Sequence, residues 1–144
     1  MNPQIYKANI GLALVITVLI TLISGIVLHL KKHGILVEPR NLIKIVHFFA
    51  GILMLIFAWL HGAQFWKWYV NLRRSKWFKI DTTILIVLII ATGLTGLIKM
   101  LSPIRIPHLG LWHYWLGLAM SISAAIHLIK GVPGWWRLIK DSKK

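Results

Sequence analysis

The sequence predicts an all-α fold, a transmembrane four-helix bundle built from two repeated helix pairs. Three observations carry that prediction. Of 144 residues, 58% are hydrophobic and only 14% charged, against roughly 45–50% apolar residues in soluble domains. Four apolar runs, Ala8–Leu30, Leu42–Phe65, Ile80–Leu101 and Leu109–Ile129, each approach the ~20 residues a helix needs to cross a hydrocarbon core. The basic residues fall largely between those runs. So much apolar side chain also excludes a disordered chain.

The elements follow in order. Span one is too long for the core of a cleavable signal, and Lys31, Lys32 and His33 follow it where a small-residue cleavage site would stand. Span two, Leu42–Phe65, runs into the aromatic residues Trp66, Trp68 and Tyr69. Asp81-Thr82-Thr83 reads as the N-cap of span three, because short polar side chains there accept from the first free backbone N–H groups. Span four begins after a short connection and ends before Lys130. Four spans leave little chain for an aqueous domain, so residues 1–144 are expected to form one membrane domain.

Lys and Arg number 17 against three acidic residues, a net charge of +14. In a soluble protein this would suggest nucleic acid. Set between membrane spans, it points to membrane lipids and topology, and no nucleic-acid partner is expected. Eleven basic residues lie on the side of the termini and the Lys67–Asp81 loop, and six on the other. The positive-inside rule then places both termini in the cytoplasm. Trp66, Trp68, Tyr69, Trp77, Trp135 and Trp136 share that side and suit an interfacial aromatic belt. Cysteine is absent, which removes disulfides, thiolate metal sites and thioether-linked haem.

Spans two and four repeat each other. From His47 to His61 and from His113 to His127, six of fifteen positions are identical: the four histidines, Gly51/Gly117, Met54/Met120, Ile56/Ile122 and Ala58/Ala124. All but the isoleucines lie on one helical stripe. Fourteen residues rise about 21 Å and fall some 40° short of four turns. The two histidines of a span therefore share a face but lie near opposite surfaces. Spans two and four run in the same direction, so His47 pairs in depth with His113, and His61 with His127. Each depth offers two imidazoles across a bundle.

Paired imidazoles are one way to hold haem iron, and bundle cores house such groups. The expected cofactors are two haem b, one held by His47 and His113, the other by His61 and His127. Gly51 and Gly117 lie one turn from the first pair, Ala58 and Ala124 one turn from the second, leaving room for a flat macrocycle. Met54 and Met120 read as packing between the sites. Ser24-Gly25 and Thr95-Gly96 repeat late in spans one and three, which places Gly25 and Gly96 near the depth of His47 and His113. Arg105 and Lys130 are the basic residues best placed for haem propionates. His29, His33 and His108 read as interfacial residues, with His108 able to meet a propionate or quinol.

The His-x13-His helices resemble those of the respiratory cytochrome b family, in which two parallel helices hold two stacked b-type haems. The four-span form resembles more closely the small bacterial flavinylation-associated membrane cytochromes. That likeness rests on the His-x3-Gly motif in spans two and four, the Ser/Thr-Gly ends of spans one and three, Asp81 and the Trp-rich ends. The resemblance covers nearly the whole chain, which lacks counterparts of the further helices of the longer cytochrome b. It implies His47, His61, His113 and His127 as axial ligands, and a bacterial cytoplasmic membrane.

The function expected is electron transfer across the membrane, between a quinol pool and a partner redox protein. The donor is menaquinol or another quinol, and the acceptor an extracytoplasmic flavoprotein or cytochrome. The chain would then be the quinol-oxidising membrane subunit of an oxidoreductase. Two other readings stand beside this one. One is a histidine-lined copper or zinc transporter. With Asp81 read as a cap, no Asp, Glu or Cys lies in a span interior to carry a cation or proton path. The other is a haem-bearing membrane anchor of a larger respiratory complex.

Overall fold

The computed structural model describes residues 3–32, 34, 40–70, 76–104 and 106–141. Four helices account for nearly all of them: α1 (Pro3–Lys32), α2 (Arg40–Val70), α3 (Lys76–Leu101) and α4 (Leu109–Asp141). Each is longer than its apolar run, because the helix continues past the hydrocarbon stretch into flanking basic and aromatic sequence. Pro3 stands at the first helical position, where a missing N–H costs nothing. Gly34, at φ 76°, gives its N–H to the Lys31 carbonyl over 3.1 Å and ends α1. The His108 carbonyl accepts the N–H groups of Leu111 and Trp112 at 2.9 and 3.0 Å and starts α4. Pro133 lies inside α4 and removes the N–H that would reach the Ile129 carbonyl.

The start of α3 corrects one expectation. Asp81 is not the N-cap. The helix begins at Lys76, so Asp81 already lies more than a turn inside it. The cap reading assumed that the helix starts where the apolar run starts. The preceding residues Lys76, Trp77, Phe78 and Lys79 are compatible with helix, and they extend it outward.

The helices pack as two hairpins. α1 lies closely on α2 and α3 on α4; α1 also borders α4, while α2 and α3 touch only narrowly. Among the described residues, no Cα of α2 comes within 8 Å of one in α4. Those two helices, which carry the histidine repeat, therefore stand on the diagonal of the bundle. At the narrow α2–α3 contact, Gly93 lets Leu55 approach so closely that a Cβ there would lie 3.2 Å from its Cδ2.

Midway along the bundle, Met54, Leu85 and Met120 form the core, with Leu14, Val18, Leu55, Leu88, Ile89 and Ala124 against them. All four helices contribute. The two methionines are the most buried of these, at 3% and 4% exposed. This plug separates the interior into a layer at His47 and His113 and a layer at His61 and His127.

The outer surface is apolar. Trp59, Leu12, Ile16, Leu19, Ile23, Val87 and Ile90 are all exposed, Trp59 at 78%. All four helices are long and apolar enough to cross a membrane. In hydrocarbon, every polar group needs an internal partner, and the hydroxyls of Thr17, Thr21, Ser24, Thr95 and Ser121 each donate to a carbonyl one turn back. The chain is an all-α, four-helix, multi-pass membrane protein. Trp66 and Trp136 are exposed at one end, and Trp112 and Trp115 toward the other. The side chains of Trp68, Trp77 and Trp135 lie outside the described residues.

Candidate functional site

The His47–His113 layer is built the same way twice. On α2, His47 places its Nδ1 3.0 Å from the Thr21 carbonyl and 3.0 Å from Ser24 Oγ. On α4, His113 places its Nδ1 3.1 Å from the Thr92 carbonyl and 3.1 Å from Thr95 Oγ1. A carbonyl can only accept, so Nδ1 carries the proton in both rings. The hydroxyls agree, since Ser24 gives its own proton to the Ile20 carbonyl and Thr95 gives its own to Ala91. Each Nδ1–H is thus shared between a carbonyl and a hydroxyl oxygen of the preceding helix. In the neutral ring this tautomer leaves the lone pair on Nε2, the form in which imidazole binds a metal.

The glycines of α1 and α3 make this arrangement possible. A Cβ on Gly25 would lie 3.1 Å from His47 Cε1, and one on Gly96 3.0 Å from His113 Cε1. Each ring therefore lies against bare helix backbone. The expected agreement in depth of Gly25 and Gly96 with the histidines is what the structure shows. The Ser24-Gly25 and Thr95-Gly96 repeat supplies one acceptor and one flat surface per ring. The sequence carried that repeat, but its use as a histidine anchor shows only when the helices are paired.

Across the bundle the two rings approach, with centroids 6.0 Å apart and planes at 87°. A metal–imidazole bond of about 2.0 Å on each side places the centres of two opposed imidazoles roughly 6 Å apart. Two imidazoles at this separation would hold a single metal ion between them through their Nε2 atoms. Gly51 and Gly117 lie one turn further along. A Cβ on Gly51 would meet nothing within 4 Å, and one on Gly117 only Thr92 Cγ2 at 3.8 Å. No tight helix contact requires those two glycines, and the space beside them is open to a flat group.

The His61–His127 layer has another chemistry. His61 Nδ1 is buried with no hydrogen-bond partner among the described residues, and its ring lies 4.9 Å from that of Phe65. His127 Nδ1 faces Asp81 Oδ2 at 4.0 Å, and the same oxygen is 3.3 Å from Lys130 Nζ. Asp81 is 13% exposed. Its Oδ2 lies within ion-pair distance of Lys130 but makes no well-formed hydrogen bond. Ala124 packs on the central core, and Ala58 is half-buried on the same stripe of α2.

The remaining site residues fall into place around these layers. Lys130 is partnered by Asp81, which sequence reasoning had assigned to a cap. Arg105 lies outside the described residues, as does His33. His108 is exposed at the head of α4, at φ 61°. His29 stacks on Tyr114, centroids 3.8 Å apart and planes at 9°, a tie between α1 and α4 beside His113. Lys99 approaches Gly110 across the α3–α4 connection. Lys31 Nζ is buried without a hydrogen-bond partner, a cation available to an anionic group at the His47–His113 end.

Each layer thus provides two imidazoles from diagonal helices. Among the described residues, no three His, Cys, Asp or Glu side chains gather as a metal-binding group. A donor set of two fits a metal whose remaining ligands come from elsewhere, as a macrocycle supplies them. No family model, no curated protein and no solved structure matches this chain.

Proposed function

We propose that this protein is a b-type dihaem cytochrome that moves electrons across the membrane, as its likeness to small four-helix membrane cytochromes implies. The observation that carries the reading is the His47–His113 layer. Two imidazoles are held with Nδ1 protonated, centroids 6.0 Å apart, on helices whose Cα atoms stay more than 8 Å apart. By the repeated spacing, His61 and His127 would form the second pair.

Haem held there would supply one-electron transfer between the ends of the bundle. The chain's own residues do the rest. His47, His61, His113 and His127 would hold the iron. Ser24, Thr95 and the Thr21 and Thr92 carbonyls fix two of those rings. Gly51 and Gly117 leave room, and Met54 and Met120 keep the middle of the bundle closed. Lys31 offers a cation to a propionate at one end. The charge bias favours cytoplasmic termini in a bacterial membrane. The partners are a quinol at one surface and a flavoprotein or cytochrome at the other, so the chain would serve as the membrane subunit of a quinol-oxidising system.

The test is a reduced-minus-oxidised spectrum with a haemochrome count on the purified chain. Two haem b per chain, reduced by a quinol analogue, is the expected result. One observation favours the transporter reading: Asp81 brings a carboxylate into the bundle beside His127. A chain that binds copper or zinc and no haem would establish that reading instead.

A further inference from the structure

Asp81 is a charged side chain placed inside a membrane bundle, where charge is costly and calls for a use. Its Oδ2 points between His127 Nδ1 at 4.0 Å and Lys130 Nζ at 3.3 Å and is buried without a hydrogen bond. Lys130 lies on the same helix as His127, just under one turn on, so one carboxylate from α3 addresses both. The His47–His113 layer shows what stands in the corresponding position there: a carbonyl and a hydroxyl, both uncharged, at about 3 Å from each Nδ1. The two layers share the fourteen-residue histidine repeat and differ in the charge behind one histidine.

We infer that Asp81 is the positioning residue of His127, and that its charge holds the haem of this layer at a lower potential than a neutral side chain would. The inference rests on the dihaem reading. A carboxylate behind a ligating imidazole orients the ring and raises its basicity. A stronger donor and a nearby negative charge both favour the ferric over the ferrous state. Lys130 offsets part of that charge. His61, whose Nδ1 has no acceptor among the described residues, receives no such support. Within one layer, then, one ligand is polarised and the other is not. A carboxylate that merely pairs with Lys130 to join α3 to α4 would leave the metal's properties alone.

The experiment is a potentiometric titration of the purified full chain with bound haem, read with haem counts and low-temperature EPR. Wild type is compared with Asp81→Asn, Asp81→Glu and Lys130→Gln. His127→Ala identifies which component belongs to this layer. Asp81→Asn keeps the shape of the side chain and removes the charge. The midpoint of this component then moves upward and its EPR g-values change, while the other component stays at its wild-type midpoint. Asp81→Glu returns the component toward wild type, and Lys130→Gln moves it downward.

An unchanged midpoint in Asp81→Asn, or an equal movement of both components, overturns the assignment. Should Asp81→Asn lose this haem altogether, Lys130→Gln decides: a downward shift confined to this component supports the assignment, and no shift overturns it. A wild-type chain without haem overturns the dihaem reading along with this one. The haem count separates that result from a failure of the Asp81 assignment alone.

Discussion

At the His47–His113 layer each imidazole is tied to a carbonyl and a hydroxyl of the preceding helix. At the His61–His127 layer one imidazole has no acceptor for Nδ1 among the described residues and the other faces a carboxylate. The same fourteen-residue spacing thus produces a symmetric site at one depth and an asymmetric one at the other. A repeated helix pair fixes where the four histidines stand. The residues behind them are free to differ, and on the dihaem reading they would set how strongly each ring donates. Neutral anchors give the first layer rigidity without moving charge. The Asp81–Lys130 pair brings charge into the second, with less complete hydrogen bonding.

The largest expected effect breaks the layers apart. His47→Ala and His113→Ala should each remove the same haem, and His61→Ala and His127→Ala should each remove the other. The haemochrome count should fall from two per chain to one in all four variants. Redox titrations should show the same surviving component within each pair. If His47→Ala and His113→Ala leave different components, the pairing across the diagonal is wrong.

Next come the glycines, where the structure separates two kinds that the sequence showed alike. Gly25 and Gly96 back the rings of His47 and His113, while Gly51 meets no neighbour and Gly117 only an ordinary contact. Gly96→Ala should push the His113 ring and change the EPR signature of that layer, since a Cβ at 3.0 Å from a helix-backed ring has little room to give. Gly51→Ala should leave the signature close to wild type. Gly51→Leu or Gly117→Leu should deplete or shift only the haem of that layer, because the larger side chain fills the open space. Equal depletion of both haems would mean that these glycines serve the bundle in general.

The fold was legible because it depends on long runs. Four apolar segments bounded by basic residues allow little but four membrane helices, and the pairing of His47 with His113 follows from a repeat and a direction. The ring anchors were half legible. Ser24-Gly25 and Thr95-Gly96 stand out as a repeat, but only the packing of α1 on α2 and of α3 on α4 shows which side chain they meet. Asp81 was misread for a local reason. An acidic residue before two threonines is good cap chemistry, and periodicity does not reveal that α3 starts at Lys76. His29 and Tyr114, far apart in sequence and stacked in the structure, carried no signal of their own.

A smaller and less selective effect is expected at the centre. Met54 and Met120 contact the core from the two diagonal helices. Truncating one buried methionine costs about 2–5 kcal/mol in soluble cores. Met54→Ala should lower the unfolding temperature of the detergent-solubilised chain, and it should affect both haems to a similar degree because the plug lies between them. Loss confined to one layer would place Met54 within that site rather than between the two.

The smallest effect sharpens the contrast between neutral and charged anchors. Ser24→Ala and Thr95→Val each remove a hydroxyl while the Thr21 or Thr92 carbonyl still accepts the Nδ1–H. One shared hydrogen bond lost from a ring that keeps its other acceptor is worth about 1 kcal/mol or less. The tautomer does not change, because the remaining carbonyl still requires a proton on Nδ1. Both haems should therefore be retained. The midpoint of the His47–His113 component should rise only slightly, as a ring with one weaker acceptor donates a little less to the metal. Asp81→Asn should move its own component further, since it removes a full charge rather than a dipole. The decisive measurement is the ratio of the two shifts in one titration series. Thr95→Val moving its haem as far as Asp81→Asn moves the other would show that hydrogen bonding, not charge, sets the difference between the layers.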